Sequence, residues 1–248
     1  MIQLACHHLS VPDRLVNVSL SMTAGRVVHV LGENGAGKTT LLHCLAGLLG
    51  DYEGDITLNH RPLSEYAMAQ LATFRCLHLQ HRSTPFRLTV ADVLHLHSNT
   101  ADVPAVLQDA LEITPFTGRI FDTLSGGEQQ RVLIAQILLQ VWPAIERGEA
   151  LVMFDEALQG LDIRHQHQFH RLCNHLAELG NSVLVSLHDI NQSSQYADDV
   201  WIMKSGELLA SGEAHQVLSI ENLRLAFGGN VEKINNTHGG SGFTWTTS

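Results

Sequence analysis

Apolar positions in this chain repeat with two different periods, and the switches between them mark out its elements. Short alternating or continuous apolar runs bounded by turn residues predict strands at Ile2–Cys6, Leu15–Leu20, Arg26–Leu31, Gly54–Leu58 and Cys76–Leu79. Pro12-Asp13 and Thr23-Ala24-Gly25 supply the turns between the first three. Helical spacing is predicted over Thr40–Leu48 and from a Ser64 cap through Phe74. From His81 the pattern is helical: Thr89 caps Val90–His97, Val103–Ile113 follows, and 115–124 is an irregular connection. A long apolar helix then opens within LSGGEQQR (Leu124–Arg131) and runs to Trp142, with Pro143–Gly148 as a polar linker.

The last hundred residues return to alternation. Leu151–Phe154 is a continuous apolar run, as expected of a central parallel strand. Ile163–Leu179 is amphipathic, with Phe169, Leu172, Leu176 and Leu179 on one stripe and Gly180 as its stop. Ser182–Leu187 predicts a buried strand and Asp189–Ala197 a helix. Val200–Met203 and Glu207–Ala210 flank Ser205-Gly206 as a hairpin, and Gly212–Phe227 reads as helix. From Gly228 onward the pattern is too weak to assign an element.

The fold class this order predicts is α/β, with a core sheet, a small antiparallel β subdomain and a helical insertion; the glycine loop GENGAGKT (Gly32–Thr39) after the third strand makes the core sheet resemble the P-loop NTPase type. We expect one domain over 1–248, with a core lobe of about 1–83 and 148–248 and the insertion at about 84–147. Gly32–Thr39, Gln80, Asp155-Glu156 and His188 all directly follow predicted strands. In a parallel sheet those positions share one crevice at the carboxyl edge.

Composition narrows the function. A net charge of −10 disfavours a nucleic-acid surface, because counterion release requires clustered Lys and Arg, so no nucleic-acid partner is expected. Four scattered cysteines with no C-x-x-C pair suit reduced, buried thiols. The opening MIQLACHHLS lacks the basic flank and long apolar core of a signal peptide. No apolar run reaches bilayer length, so any membrane connection is expected through a partner. Among sixteen histidines, HQHQFH suggests a metal box, but on a helix His167 and His170 face each other while His165 does not. With no carboxylate or thiolate to complete the set, a solvated helix face is the expectation.

The candidate chemistry starts at GENGAGKT. A strand, a glycine loop and a helix in that order form the phosphate-loop context. Gly35 and Gly37 allow close backbone approach to a polyanion, and the N–H groups and helix start point at phosphate. Gly32, Glu33, Asn34, Gly35, Ala36, Gly37, Lys38, Thr39 and Thr40 are the candidate ATP-binding residues. Lys38 is expected to reach the β- and γ-phosphates and Thr39 to hold Mg2+. Asp155 is expected to support Mg2+ opposite Thr39, and Gln80 to offer it a neutral oxygen. Glu156 is placed to orient or deprotonate the attacking water, and His188 to contact the γ-phosphate and position Glu156. Ser125, Gly126, Gly127 and Glu128 form a capping box on a glycine-rich helix start. Two consecutive glycines there are costly unless something approaches closely, so this is read as a second anion-seeking helix end.

GENGAGKT, Gln80, LSGGEQQR, LVMFDE, the Gly160-Leu161-Asp162 turn and SLHD, in that order, resemble the ATP-binding subunits of ABC transporters over nearly the whole chain. The resemblance implies a head-to-tail homodimer, with ATP held between the Lys38 loop of one copy and Ser125-Gly126-Gly127 of the other and with Asp162 on a dimer-contacting turn. It also implies two membrane-spanning permease subunits, an indirect periplasmic binding-protein partner, and a peripheral place on the cytoplasmic face of a bacterial inner membrane. LQVWPAIERGEALVMFDEA and TPFRLTVADVLHLH are most similar to ATPases of importers for large chelates, vitamin B12 ahead of haem and ferric siderophores.

Three departures stand out. The aromatic that usually stacks on adenine is absent near His7–Val11, leaving Val11 or a histidine for that contact. Ala157 replaces the usual proline after Glu156, and Leu158-Gln159 replace small polar residues, which is expected to loosen the turn ending at Asp162. A chromosome-maintenance ATPase with the same head would need a long coiled-coil insertion, whereas only 87 positions separate Lys38 from Ser125. A non-hydrolysing scaffold would not be expected to retain both Lys38 and Glu156.

Overall fold

The computed structural model describes residues 3–79, 87–96, 102–235 and 241–246. The chain opens with β1 (Leu4–Val11) and β2 (Leu15–Met22), whose apolar residues alternate inward, and then enters β3 (Val27–Leu31), buried on both faces. Helix α1 (Lys38–Leu45) follows the glycine loop. Strands β4 (Glu53–Leu58) and β5 (Arg61–Pro62) complete a four-stranded antiparallel sheet ordered β2-β1-β4-β5.

After the short α2 (Met68–Leu71) comes β6 (Arg75–His78). Helices α3 (Val90–His95), α4 (Ala105–Leu111) and α5 (Gly126–Gln140) lead through α6 (Trp142–Ile145) to β7 (Leu151–Asp155). Thr89 caps α3 in a full capping box with Asp92. Residues 131–139 of α5 are all buried, as befits a helix apolar on most of its circumference. Then follow α7 (Ile163–Glu178), β8 (Ser182–Leu187), α8 (Ile190–Tyr196), β9 (Asp199–Lys204) and β10 (Glu207–Glu213). The second sheet is ordered β10-β9-β3-β8-β7-β6, parallel except for the β10 edge.

Its two faces bury separate apolar clusters. One holds α5, α7 and the face of β7 and β8 carrying Phe154 and Val185. The other holds α1, the antiparallel sheet and the opposite face, with Met153 and Leu184. Because β8 lies between β3 and β7, with Leu31 opposite Leu187 and Asp155 opposite Ser186, the carboxyl ends of all three strands emerge side by side. That adjacency places the polar residues following each strand in one crevice.

Several sequence expectations are corrected. Ser64–Phe74 is not one helix but a 3-10 turn at Leu63–Glu65 and the single turn α2, interrupted by extended residues Tyr66 and Ala67. Pro143 sits in the first turn of α6, where its missing N–H costs nothing, so the expected linker is helical to Ile145 and a turn over 146–148. The expected Gly212–Phe227 helix is strand to Glu213, then α9 (Ala214–Val217) and α10 (Ile220–Phe227), separated at Ser219, which caps α10. The tail forms a hairpin, β11 (Asn230–Asn235) with β12 (Ser241–Thr246), burying Val231 and Phe243. Asn191 on α8 anchors it, accepting from Phe243 N at 2.7 Å and donating to Phe243 O at 3.1 Å.

Candidate active site

The loop between β3 and α1 wraps a cleft of about 310 Å³ lined by Asp13, Arg14, residues 34–40 and Glu156. Two glycines set its shape. Gly37 (φ 100°) has no room for a side chain, since a Cβ would lie 2.8 Å from Leu15 and 3.0 Å from Arg14 O. Gly35 (φ 81°) faces open space instead, leaving bare backbone towards the cleft. Lys38 is only 4% exposed, and its ammonium donates to Gly32 O at 2.9 Å and Glu33 O at 3.1 Å. Burial lowers its pKa, and the nearby charges of Glu156 and Asp155 oppose that shift. The nearest carboxylate contact is Glu156 at 4.0 Å. A buried cation tied mostly to carbonyls beside an open glycine loop fits a polyphosphate.

The ends of β7 and β8 form the opposite wall. Thr39 Oγ1 donates to Asp155 Oδ2 at 2.7 Å, so a hydroxyl and a carboxylate meet across the cleft. That pair of hard oxygen donors fits Mg2+. Ser186 Oγ donates to Asp155 Oδ1 at 2.6 Å and accepts from Glu156 N at 2.9 Å. Glu156 itself has φ 49°, an uncommon left-handed value for a side-chain-bearing residue. His188 Nε2 lies 2.6 Å from Glu156 Oε1, and its Nδ1 lies 3.3 Å from Gly32 O. Both ring nitrogens therefore face oxygen atoms. A second, wider cleft of about 640 Å³ continues from Glu156 and His188 past Asn34, Gln159 and Gln192. The structure thus brings Lys38, Thr39, Asp155, Glu156 and His188 together, as the strand ends imply. Gln80 lies outside the described residues.

Ser125–Glu128 stand apart: none of them lines the cleft around Lys38. Ser125 caps α5 in the expected box, Glu128 Oε2 accepting from Ser125 N at 2.8 Å and from its hydroxyl at 2.9 Å. The backbone and side-chain donors of Ser125 hold the Glu128 pKa low. At Gly127 the close approach comes from the same chain, since a Cβ would meet Gly160 O at 2.8 Å. Among the described residues, no non-neighbouring atom lies within 4 Å of the Cβ position of Gly126. Gln130 Nε2 donates to Ala157 O at 2.8 Å, tying α5 to the turn after Glu156. Ala157 and Leu158 are buried in that turn. Asp162 caps α7, accepting from His165 N at 2.8 Å and meeting His165 Nδ1 at 2.9 Å; these contacts lower its pKa.

Sequence reasoning missed two contributors. Ser186, the penultimate residue of β8, stands two residues before His188, and that nearness in sequence was the available signal. Arg14 lines the cleft, whereas Val11 is buried in the core at 7% exposure. Of the HQHQFH histidines, His167 is exposed as a solvated face implies, whereas His170 is not. His170 is buried at 1% exposure, stacked on Tyr196 at 4.3 Å and 5.4 Å from the buried His29. His167 bonds the Tyr196 hydroxyl, so the two histidines meet through that ring.

The profile of the ABC transporter family matches residues 15–159, more than half of the chain. The chain belongs to the ABC transporter family. It is the ATP-binding, ATPase component of such a transporter, and among its described residues no helix is long and apolar enough to cross a membrane. Relatives include the vitamin B12 import ATP-binding protein BtuD of Photobacterium profundum, 35% identical over 92% of this chain and 93% of that one. The protein of the same name from Vibrio atlanticus is 36% identical over 91% and 93%. That from Escherichia coli O139:H28 is 34% identical over 89% and 90%. The fold is shared with an inward-facing ABC transporter of metal-chelate type at TM-score 0.78 and 24% identity, covering 99% of this chain and 98% of that chain. It is shared also with another ABC transporter ATP-binding subunit at TM-score 0.74 and 22% identity, covering 91% and 93%. Gly35, Lys38, Asp155 and Glu156 all fall within the span that the ABC transporter profile matches.

Proposed function

We propose that this chain hydrolyses ATP to power import of vitamin B12 through a membrane permease. The relation to proteins named for B12 import, 34–36% identical over about nine-tenths of the chain, carries the substrate reading. The contact between His188 and Glu156 at 2.6 Å, beside the buried Lys38, supports the hydrolytic one.

ATP would lie on residues 32–40, its β- and γ-phosphates taking the Lys38 ammonium in place of the carbonyls of Gly32 and Glu33. Thr39 and Asp155 would hold Mg2+, with Gln80 as a further oxygen donor. When bound, the ion would neutralise charge developing on the transferred phosphoryl group. Glu156 would accept a proton from the attacking water as its oxygen bonds to γ-phosphorus and the bridge to the β-phosphate breaks, releasing ADP and phosphate. His188 would hold Glu156 through that transfer.

Because Ser125–Glu128 lie away from the cleft and Gly126 is open, a second copy would complete the site, its Ser125-Gly126-Gly127 facing the phosphates. Asp162 would sit at that contact. A homodimer of this kind would bind two permease subunits at the cytoplasmic face of a bacterial inner membrane and serve a periplasmic binding protein indirectly. Deleting the chain in a host that depends on external B12 is expected to abolish growth on B12 and leave growth on haem iron intact. Loss of haem use with B12 use preserved would overturn the substrate reading.

A further inference from the structure

We propose that Ser186 is a positioning residue for ATP hydrolysis, its hydroxyl setting both the Asp155 carboxylate and the main chain of Glu156. This rests on the hydrolytic reading above.

A serine hydroxyl has one proton to give and two lone pairs to receive. Ser186 is fully buried and stands directly opposite Asp155 in the β7–β8 register. It gives its proton to Asp155 Oδ1 at 2.6 Å, a separation typical of a hydroxyl bonded to an ionised carboxylate. It receives the Glu156 N–H at 2.9 Å. Thr39 gives its proton to the other Asp155 oxygen at 2.7 Å, so two hydroxyls from opposite walls fix the plane of that carboxylate. Oδ2, the oxygen bonded to Thr39, is then held next to that hydroxyl, where the two oxygens would together hold a hard cation.

The second half of the contact concerns strain. Glu156 has φ 49°, a value that persists only where the surroundings hold it. Ser186 grips its amide while His188, two residues further along, grips its carboxylate at 2.6 Å. Ser186 is the penultimate residue of β8 and His188 the first residue beyond it, so both groups are delivered from one strand end. One strand end therefore orients both acids: one acid through its side chain, the other through its backbone and side chain together. Removing the hydroxyl leaves Asp155 Oδ1 buried without that donor and the Glu156 amide without that acceptor.

The test measures affinity for the fluorescent analogue mant-ATP with EDTA and with Mg2+, in a Glu156→Gln background that halts turnover. The Mg2+-dependent gain in affinity is the readout. Ser186→Ala is expected to cut that gain about tenfold, as loss of a group that orients a metal ligand does, while affinity in EDTA stays within about twofold. Ser186→Thr, which keeps the hydroxyl, is expected to restore most of the gain. Adding Ser186→Ala to Asp155→Asn is expected to change nothing further, because the hydroxyl acts through that carboxylate. With Glu156 restored, kcat of Ser186→Ala is expected to fall about tenfold or more. An undiminished Mg2+ gain in Ser186→Ala would overturn the inference alone. So would an equal loss in EDTA and Mg2+, which marks a merely structural role, or failure of Ser186→Thr to recover. A wild-type protein that binds no mant-ATP would overturn the functional reading, and this inference with it.

Discussion

The Cβ that Gly127 lacks would sit 2.8 Å from the carbonyl oxygen of Gly160 in the same chain. The second glycine of the LSGGEQQR start is thus required by an internal contact, whereas no described residue crowds the Cβ position of Gly126. Together with the bond from Gln130 to Ala157 at 2.8 Å, this links the start of α5 to the turn that follows Glu156. The turn is therefore held by its neighbours despite the absence of proline at Ala157.

Gly127→Ala and Gly126→Ala are expected to separate cleanly. The first forces a methyl group against backbone and should destabilise the monomer by about 1–3 kcal/mol. The second meets nothing and should change stability by no more than about 0.5 kcal/mol. Urea unfolding of the two variants checks this; equal stability would show that the Gly160 contact does not constrain position 127.

His188→Ala removes the partner that holds Glu156 and leaves the Lys38 cleft intact. The expected outcome is a fall in kcat of roughly a hundredfold with KM for ATP changed less than about threefold, read from steady-state hydrolysis. A rise in KM at unchanged kcat would place His188 in ground-state binding instead.

Acid sensitivity is expected from the His29–His170 pair. Burial depresses both pKa values, His29 well below its ordinary 6.5 with the His170 charge adding to the shift, while the Gln192 hydrogen bond partly offsets it at His170. His29 faces Ser193 and His170; His170 faces Gln192 and Tyr196, with Asp189 raising and His167 lowering its pKa. A base with a depressed folded pKa is neutral when folded but takes up a proton on unfolding below pH 6.5. Stability is therefore full above that value and falls as pH drops from 6.5 towards the folded pKa, by up to about 1.4 kcal/mol per pH unit for each histidine. His29→Leu should flatten the pH dependence of the melting temperature between pH 6.5 and 5. An unchanged slope would remove His29 from that role.

What could be read in the sequence was chemistry placed at strand ends. Gly32–Thr39, Asp155-Glu156 and His188 follow runs so apolar that only central parallel strands explain them, and β3, β7 and β8 adjoin in the structure. Ser186 was hidden because a serine within a strand reads as filler until its register with Asp155 is known. The internal contact at Gly127 was hidden because its neighbour Gly160 is distant in sequence. The β11–β12 hairpin gave weak alternation since it buries few side chains, Val231 and Phe243 among them, and relies on Asn191 for attachment. His170 looked solvated because its cover, Tyr196, comes from another helix.

The most direct test of a site shared by two copies is the size of Glu156→Gln in saturating ATP and Mg2+, measured by light scattering on a sizing column. The expected result is a dimer, twice the 27.3 kDa of one chain, that reverts to monomer when Gly126→Asp is added although each monomer still binds ATP. A Glu156→Gln protein that remains monomeric at every ATP concentration, or a double variant that still dimerises, would contradict it.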